Sequence, residues 1–139
     1  MTTNTTLLVA AALALVILTF LVGARLLYTR VQEMQQKRIH PQTVATSVQM
    51  STRLENVQTA DNFRNLFEVP VLFYALVATA LAVNHTPTWL AYGALLFVAL
   101  RIIHSFVHCT YNKVMHRLLV FLASFVLIVG LWVSFYVTL

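Results

Sequence analysis

The stretch VPVLFYALVATALAVNHTPTWLAYGALLFVAL, residues 69–100, contains no Asp, Glu, Lys or Arg. It is too apolar for a water-facing surface and too long for one spanning helix, which needs roughly 20 mostly apolar residues. It also carries its own break. Asn84-His85-Thr86-Pro87-Thr88 is a turn-forming cluster, and Pro87 suits the first turn of a new helix. The stretch therefore reads as two spanning helices joined by a tight turn.

Residues 1–24 and 118–139 are likewise free of charged side chains, and each fits one span. The N-terminal run lacks a basic n-region and exceeds the roughly 7–15 apolar residues of a secretory signal, so it reads as a retained helix. The fold class is all-α, an integral membrane four-helix bundle forming a single domain. Its helices cover about residues 6–28, 63–83, 88–111 and 115–137. The polar segment between them, about residues 29–62, forms the one sizeable loop, in which Pro41 interrupts any helix.

Composition agrees. Hydrophobic residues make up 60% of the 139 and charged residues 9%, against roughly 45–50% and about 25% in ordinary globular domains. A soluble chain of this size has too little interior to hide so much apolar surface. The formal charge of +5 does not point to nucleic acid, because no basic domain with interleaved aromatics accompanies it. The lone Cys109 excludes an internal disulfide and a CxxC metal motif.

Topology explains the charge. Arg25, Arg30, Lys37, Arg38, Arg53, Arg64, Lys113 and Arg117 lie in or beside the first loop or the turn before the last helix. Arg101 lies nearly three turns inside the third helix, toward the same end. The N-terminal tail, the Asn84–Thr88 turn and the C-terminal end carry no basic residue. The positive-inside rule places both basic loops in the cytoplasm and both termini outside.

Several polar residues fall within the spans, where a charge costs roughly 2.5–3.5 kcal/mol at the centre and usually faces a bundle interior. Arg64, Asn65 and Glu68 are spaced to share a helical face. They read either as an ion pair that neutralises Glu68 or as a recognition site, with Glu68 taking an ammonium and Arg64 and Asn65 taking carboxylate or amide groups. Arg101, His104, His108 and Tyr111 form one stripe on the third helix. Arg25 and Arg117, taken singly, read equally well as snorkelling interface arginines.

Arg64-Asn65-x-x-Glu68-x-Pro70, followed by Arg101-x-x-His104-x-x-x-His108 and then Arg117, resembles the membrane-associated eicosanoid and glutathione metabolism (MAPEG) family. The likeness covers nearly the whole chain, and the chain looks like a bacterial member. The resemblance implies a homotrimer in the inner membrane, with glutathione bound between neighbouring subunits near the cytoplasmic face. Arg64, Asn65 and Glu68 match its glutathione-binding motif. His104 matches a glutathione-contacting position of the prostaglandin E synthase branch, and His108 falls where that branch has tyrosine. Arg117 matches the arginine beside the glutathione sulfur, and Arg25 the helix-one arginine that reaches a glutathione carboxylate. Asp61 stands where relatives often place another arginine, and Tyr111 is the residue that compensates for the missing phenol.

On this reading the protein is a membrane-bound glutathione transferase or peroxidase that acts on a hydrophobic electrophile or lipid hydroperoxide. Arg117 is the catalytic residue, since a cation beside sulfur favours the thiolate nucleophile. Arg25, Arg64, Asn65, Glu68, His104, His108 and Tyr111 bind glutathione. No metal and no nucleic acid are expected, and membrane lipid is the surrounding partner. The alternative is a non-catalytic protein of the same fold with a structural or regulatory role. A haem protein fits less well, because His85 lies at the opposite membrane face from His104 and His108. A small multidrug transporter would need an embedded carboxylate that the first helix lacks.

Overall fold

A computed structural model describes residues 2–55 and 57–139, the side chain of Ser47 excepted. Met1 and Asn56, which fall in the first uncharged stretch and the first loop, lie outside the described residues. The described chain is all-helical, and four of its helical segments are long and apolar enough to cross a membrane.

Helix α1 runs Thr3–Gln36, with the Thr2 hydroxyl accepting the Thr5 N–H at 3.3 Å as its cap. It continues past the expected end near residue 28, because TRVQEMQQ contains no glycine or proline and is rich in good helix formers. At 1.5 Å per residue it is about 50 Å long, against a hydrocarbon core of roughly 30 Å, so its last turns project beyond the bilayer. Arg38, at φ 52, lies in the turn that ends the helix.

Much of the expected loop is therefore helical. After α1 comes a 3-10 turn, Pro41–Val44, then α2, Ser47–Arg53, then α3, Gln58–Asn65. A reciprocal capping box between Thr46 and Gln49 starts α2. Lys37 Nζ bridges Glu33 at 2.7 Å and Glu55 at 2.9 Å, and the Glu33 carboxylate also accepts the Glu55 N–H at 2.7 Å. This staple ties the projecting end of α1 to the segment entering α3. The two carboxylates, Glu33 foremost, hold the Lys37 ammonium above its ordinary value.

The second span is not one continuous helix beginning near residue 63. It comprises α3 and α4, Val69–Ala82, separated by a turn at Leu66–Glu68. Pro70 is the cause, since it has no N–H for the Leu66 carbonyl and its ring crowds that carbonyl. The third and fourth spans are α5, Thr88–Cys109, and α6, Val114–Thr138.

Helix α5 packs against both α1 and α6, and α1 also lies along α3. Phe73 of α4 and Phe97 of α5 stack at 4.9 Å within the core, alongside buried Leu8, Leu15, Ile128 and Phe135. The outer faces are apolar as well. Phe20 is 72% exposed and Tyr136 80%, which water would penalise and lipid accommodates. At the uncharged end, Asn4 Nδ2 donates to the Thr86 carbonyl and to Thr88 Oγ1, both at 3.1 Å, fastening α1 to the α4–α5 turn.

Candidate functional site

The break in the second span frees backbone groups, and the third span supplies a partner. A continuous helix would pair the Asn65 carbonyl with the Val69 N–H. That bond is absent among the described residues. Instead, the Asn65 carbonyl accepts the Glu68 N–H at 3.4 Å and Arg101 Nη2 at 3.3 Å, and Arg101 Nη1 donates to Ser124 Oγ at 3.2 Å. Arg101 is fully buried, its guanidinium 5.8 Å from the centre of the Phe121 ring. Its hydrogen bonds and aromatic neighbour replace the ion pair such a charge normally needs.

The end of α5 is fixed by the turn that follows it. Asn112 adopts φ 46, a left-handed conformation asparagine tolerates, and its N–H caps the Val107 carbonyl at 2.9 Å. This brings the Asn112 side chain to Arg117 on the first turn of α6. Arg117 Nη1 donates to Asn112 Oδ1 at 3.0 Å and to His108 Nε2 at 3.1 Å. A guanidinium has no acceptor, so His108 Nε2 must present its lone pair. In this contact the imidazole accepts through Nε2, and its Nδ1 is buried without a partner among the described residues.

Asp61, Arg64, Asn65, Glu68, His108 and Arg117 line one cleft of about 220 Å³. Asp61, Arg64 and Glu68 are exposed at its mouth, and His108 is shut away from water at its inner wall. Among the described residues no ion pair joins Arg64 to Glu68. The i,i+4 pairing expected from spacing is missing, because the helix ends at Asn65 before reaching Glu68. Both side chains remain available to a ligand.

The remaining sequence candidates sit elsewhere. His104 is buried one turn behind His108, the two rings 5.6 Å apart, with both its ring nitrogens lacking a hydrogen bond. The backbone of Arg117 approaches that ring without reaching hydrogen-bond geometry. Arg25 Nη2 donates to the Cys109 carbonyl at 2.7 Å, closing the C-terminal end of α5 instead of lining the cleft. Tyr111 is exposed and bonded through its hydroxyl to His116 Nδ1 at 3.1 Å.

The structure adds residues that spacing did not flag. Asn112 and Ser124 position the two key arginines. Asn62 is fully buried, accepting from Ser105 Oγ and donating to Cys109 Sγ, each at 3.3 Å, and so locks α3 to α5. Asp61 changes the electrostatics. With it the cleft holds two cationic and two anionic side chains, so the surplus positive charge comes from Arg101 behind Asn65.

The donor set suits a small zwitterion bearing carboxylates, such as glutathione. Arg64 can take a carboxylate, Glu68 an ammonium and Asn65 an amide. Arg117 Nε and Nη2 have no partner among the described residues, so one face of its guanidinium is free for a further anion. No group of three or more His, Cys, Asp or Glu able to hold a metal occurs among the described residues.

No curated protein and no solved structure matches the chain. The model of the MAPEG family matches residues 8–137, which takes in most or all of each of the four membrane-length segments and every residue of the cleft. The chain is thus a multi-pass membrane protein that belongs to the MAPEG family.

Proposed function

We propose that the protein is a glutathione-dependent membrane enzyme, a glutathione transferase or peroxidase. One observation carries the reading. Arg117 is held at the cleft by Asn112 and His108, with its Nε and Nη2 donors unbonded among the described residues, opposite a recognition set of Arg64, Asn65 and Glu68. That arrangement suits one anion to be stabilised and one zwitterionic backbone to be held. Glu68 pairs with the ammonium, Arg64 with a carboxylate and Asn65 with a peptide group.

Bound glutathione supplies a thiolate, which conjugates a hydrophobic electrophile or reduces a lipid hydroperoxide. Arg117 places its guanidinium beside the sulfur and favours the charged form. Arg101 reinforces the positive field from behind and holds the Asn65 backbone. An apolar groove of about 780 Å³ between α1 and the α3–α4 break, lined by Phe20, Gly23, Phe63, Phe67 and Tyr74, supports a second substrate that arrives from the bilayer.

The cleft belongs at the cytoplasmic side of the inner membrane, with the termini outside, by the distribution of basic residues. In a homotrimer the mouth formed by Arg64 and Glu68 faces a neighbouring subunit. Arg25 then leaves the Cys109 carbonyl to reach the neighbour's ligand, and Tyr111 and His104 act from the periphery. A non-catalytic role on the same fold is the second reading, and the Asp61 carboxylate favours it by offsetting a cation in the cleft.

Calorimetric titration of the detergent-purified protein with glutathione tests the proposal. Saturable binding that weakens at least about tenfold, or 1.4 kcal/mol, in Glu68→Gln supports it. Absence of binding at millimolar ligand would leave the fold and remove the enzyme.

A further inference from the structure

His108 occupies a position that a structural role alone does not explain. Its ring is 1% exposed, yet it lines the cleft. Its Nε2 lone pair points at Arg117 Nη1, 3.1 Å away, and its Nδ1 is buried without a hydrogen-bond partner. A ring placed only to hold Arg117 would need one acceptor, and an amide side chain would supply it. Imidazole adds the ability to take a proton near neutral pH.

The residues around it are arranged for that event. Arg117 bonds to both Asn112 and His108. Turning its Nη1 proton from Nε2 toward an anion in the cleft releases the lone pair of His108 while Asn112 keeps its hold. The charged and titratable groups facing the ring are Arg101 and His104 on its own helix, Arg117 on α6 and Asp61 on α3. Asp61 and His108 line one cleft, a carboxylate and an imidazole together.

We infer that His108 is the proton acceptor that forms the thiolate. This deepens the glutathione reading above and rests on it. His108 Nε2 takes the thiol proton, the S–H bond breaks with its electron pair left on sulfur, and Arg117 turns from the ring to the new anion. The proton stays inside the cleft, so its net charge does not change. The imidazolium–thiolate pair formed in a low-dielectric site is stabilised as in other His-paired thiolates.

The test counts protons. The purified protein is mixed with glutathione near neutral pH in weak buffer, with thiolate absorbance and a pH indicator followed together, for wild type and His108→Gln. Glutamine keeps an acceptor for Arg117 and cannot hold the proton. The inference expects thiolate in wild type with almost no proton release, rising to about one proton per thiolate in the variant. About one proton per thiolate in wild type overturns it while leaving glutathione binding intact, and that result does not depend on the variant folding. Low release in both proteins also overturns it, because another group then takes the proton. No thiolate in wild type overturns this inference and the glutathione reading together.

Discussion

Arg101 Nη2 and the backbone carbonyl of Asn65 are joined at 3.3 Å across 36 residues of sequence. Together with the Glu68 N–H, 3.4 Å from the same carbonyl, the bond replaces one that the α3–α4 break removes. It makes the third span responsible for the shape of the recognition motif on the second.

Arg101→Lys tests that dependence. Lysine keeps the charge but lacks the planar fork that reaches Asn65 and Ser124 at once. The variant is expected to retain its helical content, to exchange the amides of residues 66–68 faster, and to bind glutathione about tenfold more weakly, or 1.4 kcal/mol. Arg101→Met removes both Arg101 bonds but leaves the Asn65 carbonyl with the Glu68 N–H and Ser124 with the Phe121 carbonyl, and is expected to lose about 0.5–1.5 kcal/mol of stability for each bond removed. Circular dichroism, hydrogen exchange and calorimetry check these outcomes, and unchanged exchange in Arg101→Lys would contradict the role.

Two glycines predict opposite effects on the α5–α6 pair. A Cβ at Gly93 would press into the Leu131 side chain, whereas one at Gly130 meets nothing within 4 Å. Gly93→Val is expected to cost about 1–3 kcal/mol through overpacking. Gly130→Ala is expected to gain roughly 0.5–1 kcal/mol from the better helix former. Thermal unfolding in detergent should separate them, with the midpoint falling in the first and holding or rising in the second.

The Glu33–Lys37–Glu55 staple should govern local order without governing global stability, since its Glu55 side chain is 89% exposed and such surface ion pairs contribute little. Lys37→Met is expected to speed proteolysis between α1 and α3 near neutral pH and to leave the unfolding midpoint unchanged. The folded-state value of Lys37 is raised. Its contribution is therefore complete below the ordinary lysine value of about 10.4 and fades only as pH rises through the raised value. Proteolysis of wild type should accordingly stay slow through neutral pH and accelerate on the strongly alkaline side.

The spans were legible because a bilayer imposes one demand, continuous apolar length, which residues 69–100 state openly. The extension of α1 over residues 29–36 was not, because a polar helix that faces no core has no hydrophobic period to read. The break before Pro70 was not legible, because i,i+3 and i,i+4 spacing kept Arg64, Asn65 and Glu68 on the face of one continuous helix over residues 63–83. The structure brings Arg64, Asn65, Glu68, His108 and Arg117 into one cleft and leaves Arg25 and Tyr111 outside it. Asn112 carried no sequence signal, because its role comes from a left-handed turn. Ser124 gave none either, since a serine within an apolar span differs little from a small packing residue until its donor is known.

The most direct test of the account is the pH titration of thiolate absorbance at saturating glutathione, for wild type and Arg117→Ala. A free thiol titrates near about 8.5, and each unit of depression corresponds to about 1.4 kcal/mol. The account predicts a wild-type transition at least about one unit below that value, returning toward it in the variant. Identical titrations in the two proteins, or a wild-type transition at the free value, would contradict it.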